Sequence, residues 1–287
     1  RLEVVRMLWQ VAFADGRLEP YEDWRLSPER RAADLTARMT LAEKAGVMMH
    51  GTAPLPADGA APKGYDLVAA RALIDKGVNT FITRLSGAPR MIAEADNALQ
   101  AIAEQTRLGI PLTLSTDPRN HFGATVGISV GSSGFSRWPE LIGFGAAGDP
   151  ELVRRFGDIA RREYRAVGIH EALSPQADLA TEPRWPRIDG TFGEDPELAR
   201  RLVQAYVEGF QGGAGGLARD GVATVVKHWA GYGAARDGWD GHNDYGQHAV
   251  FPGGGFERHL RPFEGAFAAH VAGVMPTYAI LDGVKVG

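Results

Sequence analysis

Lys227 and His228 stand side by side at the end of an apolar run, Val222–Val226, within the segment VVKHWAGYG. Side chains of adjacent strand residues point to opposite faces, so local twist is needed for this ammonium and imidazole to reach one cavity. A second segment, QADLATEPRWPRIDGTFGEDP over residues 176–196, sets Arg184 and Arg187 around Trp185, with Asp178, Asp189, Glu194 and Asp195 close by. Arginine offers a fork of donors, and an indole face can lie against the apolar face of a pyranose. The same composition also describes an Arg–carboxylate network that stiffens a long loop, and these residues are expected to divide between the two roles.

Other apolar runs end in the same manner. Met49 leads to His50, Thr83 to Arg84, Ser115 to Asp117 and Thr277 to Tyr278. Polar groups recurring at strand C-termini match the place where a (β/α) barrel gathers its active site. The runs are Val47–Met49, Asn79–Thr83, Ile110–Ser115, Ile169–Leu173, Val222–Val226 and Val274–Thr277. Their continuous hydrophobicity suits strands buried on both faces of a parallel sheet. Helices are expected over Leu41–Gly46 after a Thr40 cap, Asp66–Lys76, Pro89–Arg107 and Leu260–Ala272. Two further helices open identically, at Asp149-Pro150-Glu151-Leu152 and Asp195-Pro196-Glu197-Leu198. Each pairs an Asp N-cap with Pro at the first helical position and Glu in the first turn.

The βα alternation predicts an α/β fold, a (β/α)8 TIM-like barrel that is incomplete, with about six βα units. Two unpaired edges and an uncovered core would follow, so the remaining part is expected beyond Gly287. Residues 1–26 read differently: Leu2–Phe13 suits an amphipathic helix, and the acidic turn after it resembles a helix–turn segment of tellurite-resistance-type proteins. The expected division is therefore a helical lead-in, 1–26, foreign or linker-like, and a barrel over 27–287. A metal reading of the acidic turn stands against that of a plain solvated turn.

The composition narrows the function classes. The chain of 287 residues is 44% hydrophobic, 23% charged and −4 in net charge, with no basic run to suit nucleic acid. No apolar stretch nears the roughly 20 residues that span a bilayer. Cysteine is absent, which removes disulfides and thiolate metal sites. Gly212–Gly216 follows a helix, not a strand, which excludes a dinucleotide-binding turn. No cofactor and no metal are expected. The first residues lack a signal-peptide pattern, but a leader already removed would leave the same start, and a secreted or periplasmic location is favoured over a cytoplasmic one.

From about Leu35 onward the sequence resembles glycoside hydrolase family 3. The resemblance rests on MTLAEKAG, IPLTLSTDPRN, FSRWPELIGFGAAGDPELVRRFGDIARREYRAVGI, PQADLATEPRWPRIDGTFGEDPELA, VVKHWAGYG and YGQHAVFPGGGFERHLRPFEGAFAAHVAGVMPTYAI, in the family's order. It implies a retaining, exo-acting hydrolase of β-glucosides or short β-glucans. It implies that Asp117 accepts hydrogen bonds from hydroxyls of the terminal sugar, that Arg184, Lys227 and His228 donate to neighbouring ones, and that Tyr278 lies against the nucleophile. His121, Asp178, Trp185, Arg187 and His242 are expected to shape the pocket. The family's nucleophile sits in a Ser-Asp-Trp-like motif, and no Ser-Asp pair occurs here. The nucleophile is therefore expected beyond Gly287, and a C-terminal segment, second domain or second chain is expected to complete the barrel. Alone, the chain is expected to be inactive or very weak.

Two alternatives remain. Asp240-Gly241-His242 echoes the Asp-Ser-His proton-transfer pair of the family's β-N-acetylglucosaminidases, although Trp229-Ala230 and Tyr232 depart from their motif. A non-catalytic carbohydrate-binding protein on a degenerate barrel is the other.

Overall fold

The computed structural model describes residues 18–57, 62–123, 129–281 and 284–285. The amphipathic reading of Leu2–Phe13 lies outside them. The chain divides into two compact units, Arg1–Leu85 with Arg90–Leu114, and Ser86–Pro89 with Ser115–Gly287.

The first unit contains α1 (Pro28–Arg38), α2 (Leu41–Val47), β1 (His50–Thr52), α3 (Leu67–Ile74), β2 (Thr80–Ile82), nearly all of α4 (Pro89–Ala103) and the start of β3 (Thr113–Thr116). Strands β1 and β2 are parallel, with His50 opposite Thr80. Thr40 opens α2 through a reciprocal capping box with Glu43, and Asp66 caps α3 through the amides of Val68 and Ala69. Both satisfy N–H groups that a helix start otherwise leaves unpaired. Phe81, Leu85, Leu99 and Leu114 centre the core.

Two features differ here from what the sequence leads one to expect. The run Val47–Met49 is not a strand: Val47 ends α2 and β1 begins at His50, leaving Met48 and Met49 exposed. The Thr40 capping box carries the helix through Val47, and the short strand beyond it needs no apolar run. Helix α1 was not expected because it buries no residue, although Ser27, Pro28 and Glu29 form a helix-start signature. Tyr21 donates from its hydroxyl to Leu108 O at 3.0 Å, and Arg31 Nε donates to Tyr21 O at 2.9 Å. In the acidic turn, Asp23 pairs with Arg25 and Glu19 with Arg38.

The second unit carries the rest of β3, then α5 (Leu141–Ala147), α6 (Pro150–Val167), β4 (Glu171–Ala172), α7 (Pro196–Gln211), β5 (Ala223–Trp229), α8 (Phe256–Ala268) and β6 (Gly273–Pro276). A hairpin, β7 (Ile280–Leu281) and β8 (Val284–Lys285), follows. Strands β3 to β6 pair in chain order and in parallel, which makes six parallel strands among the described residues, as the sequence leads one to expect. Asp149 and Asp195 cap α6 and α7 through two amides each, and Gly168 and Gly212 end them with φ of 92° and 90°. The two helices meet at Gly157 and Gly209, where a Cβ on Gly209 would fall 2.4 Å from Arg154 O. Phe156, Tyr164, Tyr206 and Phe210 pack ring on ring between them. Helix α5 was not expected from its Gly-interrupted sequence, and α8 starts four residues before the expected Leu260.

Candidate functional site

The site lies in the second unit and starts at the end of β5. Its pairing with β6 runs in register to Lys227 opposite Met275, then shifts so that Trp229 faces Pro276. Successive side chains of a regular strand point to opposite faces, and a bulge re-aims them. With the register broken here, Lys227 and His228 each meet a buried carboxylate.

Lys227 Nζ donates to Asp117 Oδ1 at 3.0 Å, with both side chains about 95% buried. Asp117 follows β3, so this bond joins the ends of two strands 110 residues apart in sequence. Burial lowers the Lys227 pKa, and the Asp117 carboxylate opposes that shift. His228 Nδ1 lies 2.8 Å from Asp178 Oδ2, and its backbone N–H donates to Asp178 Oδ1 at 3.4 Å. The loop that carries Asp178 is held against β5, since Ala177 N donates to Lys227 O at 2.6 Å and Lys227 N to Pro175 O at 3.0 Å.

Burial holds the His228 pKa well below the usual imidazole range, with the Arg187 and Lys227 cations adding to it. Burial pushes Asp178 up to about 7, against the pull of Arg187. A neutral imidazole that donates its Nδ1–H to the carboxylate satisfies both groups without burying a third cation. The cluster then holds two cations, Lys227 and Arg187, against two carboxylates. Arg187 is 2% exposed; it donates to Gln176 Oε1 at 3.2 Å and lies over the Tyr232 ring at 5.5 Å.

Toward solvent the groups become aromatic. Tyr232 meets His228 edge to face at 4.8 Å, and its hydroxyl donates to Asp240 Oδ1 at 2.9 Å. Tyr278, 40% exposed, lies 5.7 Å from the His228 ring and 4.5 Å from that of His242. His242 Nδ1 in turn lies 2.6 Å from Asp240 Oδ1. On another side, His121, Gln176, Asp189 and Lys227 line a small cleft. The buried His121 ring bonds through Nδ1 to Pro139 O at 2.7 Å, and burial lowers its pKa.

The structure thus gathers Asp117, Asp178, Arg187, Lys227 and His228 into one buried cluster, with Tyr278 and His242 at its outer side. Two expected residues are placed otherwise. The Arg184 side chain is 64% exposed, pairing with Glu182 at 2.8 Å and facing Asp237 at 3.7 Å; Arg187 takes the buried position. Trp185 is 1% exposed and packs edge to face on Tyr232 at 4.9 Å, so its indole offers no open face to a sugar ring. Gln176 and Tyr232 belong to the cluster although the sequence did not single them out. Both stand inside the two segments that carry the charged residues, which was the available signal. Among the described residues no group of three or more His, Asp or Glu side chains is placed to hold a metal ion, and no helix is long and apolar enough to cross a membrane.

Known proteins share this arrangement of segments. Residues 70–286 match the family described as the glycosyl hydrolase family 3 N terminal domain. A periplasmic β-glucosidase/β-xylosidase of Dickeya chrysanthemi is 63% identical over 93% of this chain and 41% of its own length. β-Glucosidase C of Emericella nidulans is 42% identical over 90% of this chain and 42% of its own length. A solved β-glucosidase from Erythrobacter marinus superposes with a TM-score of 0.71 at 30% identity, over 92% of this chain and 34% of that one. The β-glucosidase of Listeria innocua solved with glucose gives a TM-score of 0.69 at 26% identity, over 90% of this chain and 34% of that one. The chain therefore spans about two fifths of the length of the curated relatives it matches.

Proposed function

The chain belongs to glycosyl hydrolase family 3, and we propose that its second unit binds the terminal non-reducing sugar of β-glucosides or short β-glucans for retaining hydrolysis. The observation that carries this reading is the pair of buried strand-end contacts, Lys227–Asp117 and His228–Asp178. A lysine supplies three donors and a carboxylate about four acceptor positions, so a single mutual bond exhausts neither group. Charge-assisted hydrogen bonds are roughly twice as strong as neutral ones, and a fixed cluster orients a ring through several at once. We assign sugar binding to Asp117, Lys227, His228, Tyr278 and Arg187, with Arg187 in place of Arg184.

Retaining cleavage requires a nucleophilic carboxylate and an acid/base carboxyl about 5–5.5 Å apart. The Asp117 and Asp178 carboxylates are each engaged by a buried nitrogen, which suits binding better than attack. We assign the nucleophile to a segment beyond Gly287, so the chain alone holds sugar weakly and does not turn over. A periplasmic or secreted setting agrees with the Dickeya relative.

The test is release of 4-nitrophenol from 4-nitrophenyl β-D-glucoside by this chain and by the full-length gene product. Activity only in the longer product, lost in its Asp117→Ala variant, is expected. Asp117-dependent turnover by the 287-residue chain overturns the assignment of the nucleophile. A second reading, a β-N-acetylglucosaminidase using His242, draws on the 2.6 Å Asp240–His242 contact beside Tyr278. A preference of the longer product for the N-acetylglucosaminide, lost in His242→Asn, would favour it.

A further inference from the structure

A cavity of about 340 Å³ opens in the first unit, where α2, α3 and α4 end and β2 and β3 begin. Its floor is aliphatic and buried, formed by Ile74, Val78, Leu108 and Leu112. Its mouth is polar, because Asp75, Gln105 and Arg107 line it and are exposed. Protein interiors hold few voids larger than a water molecule, whose share of liquid volume is about 30 Å³. A hollow roughly ten times that size leaves its aliphatic lining without partner atoms on one side.

The start of the described chain is fastened beside this mouth. The Tyr21 hydroxyl donates to the backbone oxygen of Leu108, a floor residue, at 3.0 Å. Glu19 Oε2 accepts from Arg38 Nη2 at 2.6 Å, and Arg38 O accepts from Arg107 Nη2 at 3.1 Å. Arg107 also pairs with Glu43, another lining residue, at 2.5 Å. Residues 1–17, which lie outside the described ones, therefore lead away from the rim of the cavity.

Their sequence has the chemistry to fill it. On a helix, Leu2–Phe13 sets Val4, Leu8 and Val11 on one face and Glu3, Arg6 and Gln10 on the opposite one. Such a helix is about 18 Å long, and residues 14–18 extend at most about 18 Å, enough to fold back over the mouth. A helix this short is marginal alone in water and depends on a surface for its apolar face. Charge agrees as well. Helix C-termini carry partial negative charge, and three of them end at this cavity. The segment brings Arg1, Arg6 and Arg17 against Glu3 and Asp15.

We propose that residues 2–13 seat as a helix in this cavity, with Val4, Leu8 and Val11 toward its floor. The segment plugs the end of the first unit where the strands begin. In a (β/α) barrel that end serves stability, while ligands meet the opposite one. The lead-in is thus a fastening of the fold and takes no part in holding sugar.

The experiment is hydrogen exchange read by mass spectrometry on the 287-residue chain, at two protein concentrations, beside Leu8→Asp. Amides of residues 2–13 are expected to exchange about a hundredfold slower than in an unstructured chain. Leu8→Asp would bury a charge, so it should remove that protection and speed exchange over residues 105–112 about tenfold. The chain has no cysteine, which permits a second reading by cross-linking. Leu8→Cys with Gln105→Cys should oxidise to a disulfide, which needs Cα atoms within about 7 Å, about tenfold faster than Glu3→Cys with Gln105→Cys. Unprotected amides over residues 2–13 overturn the proposal, as does protection that survives Leu8→Asp. Protection found only at the higher concentration assigns the helix to a second copy and overturns the intramolecular seat. Equal cross-linking by the two cysteine pairs overturns the placement of Leu8 toward the floor.

Discussion

The same sequence signal, a polar residue just past an apolar run, has opposite outcomes in the two units. In the first, His50 and Arg84 end exposed, and the buried polar cluster is built around Tyr65, whose hydroxyl bonds with Thr83 Oγ1 and donates to Asp96 Oδ1 at 2.7 Å. In the second, Asp117, Lys227 and His228 are all at least 95% buried, together with Asp178 and Arg187. One unit hides a phenol, a hydroxyl and one carboxyl, while the other hides opposed charges. Isolated buried ions cost several kcal/mol each, and an apolar replacement of similar volume is often as stable. Stability alone therefore gives little reason for a cluster of this kind.

That contrast can be broken by removing one member at a time. The largest effect is expected from Asp117→Ala, which leaves the Lys227 ammonium buried without the carboxylate at 3.0 Å. Stability should fall by about 3–5 kcal/mol in urea unfolding. A change below about 1 kcal/mol would mean that water reaches Lys227.

Next comes pH. His259, on α8, is held at about 4 by burial and the Arg258 cation, against the opposing influence of Asp178. The unfolded chain takes up a proton near the ordinary imidazole value of 6.5 and the native chain does not. Its contribution to stability is therefore intact above that value and lost as pH falls toward about 4. The loss amounts to about 3 kcal/mol, at about 1.4 kcal/mol per unit. His259→Leu should flatten that part of the stability profile; an unaltered slope would place the proton uptake elsewhere.

Smaller again is Tyr65→Phe in the first unit. It removes a donor from the buried Asp96 and should cost about 1–3 kcal/mol, with glycoside binding untouched. A loss of binding would show that this cluster is not structural alone. The smallest effect is expected from Arg184→Gln, whose ion pairs are exposed: neither melting temperature nor glycoside binding should change measurably, whereas Arg187→Gln should abolish binding. Equal behaviour of the two variants would cancel the distinction drawn between them.

Local rules explain how much could be read in advance. The twin Asp-Pro-Glu-Leu segments became capped helices because cap, Pro and first-turn acid act within four residues. Helix α1 obeys the same rule but has no buried face to mark it as part of the core. The strand expected at Val47–Met49 failed because an apolar run of three residues serves a helix end as readily as a strand. In the site, Asp117, Lys227 and His228 were legible as strand-end residues. The choice between Arg184 and Arg187 was not, because they flank one tryptophan in near-identical surroundings, EPRWPR.

The sequence by itself determined the βα alternation, the Asp-Pro helix starts and the residue types that follow the apolar runs. Each depends on neighbours a few positions away, through caps, proline and apolar runs. Only the tertiary structure decided which charges are buried and which partners they find. Lys227 meets a carboxylate 110 residues distant, and Arg187 is chosen over Arg184 by Gln176 and Tyr232. A buried charge is tolerated only where an opposite one is delivered to it, and that delivery depends on how strands and loops pack.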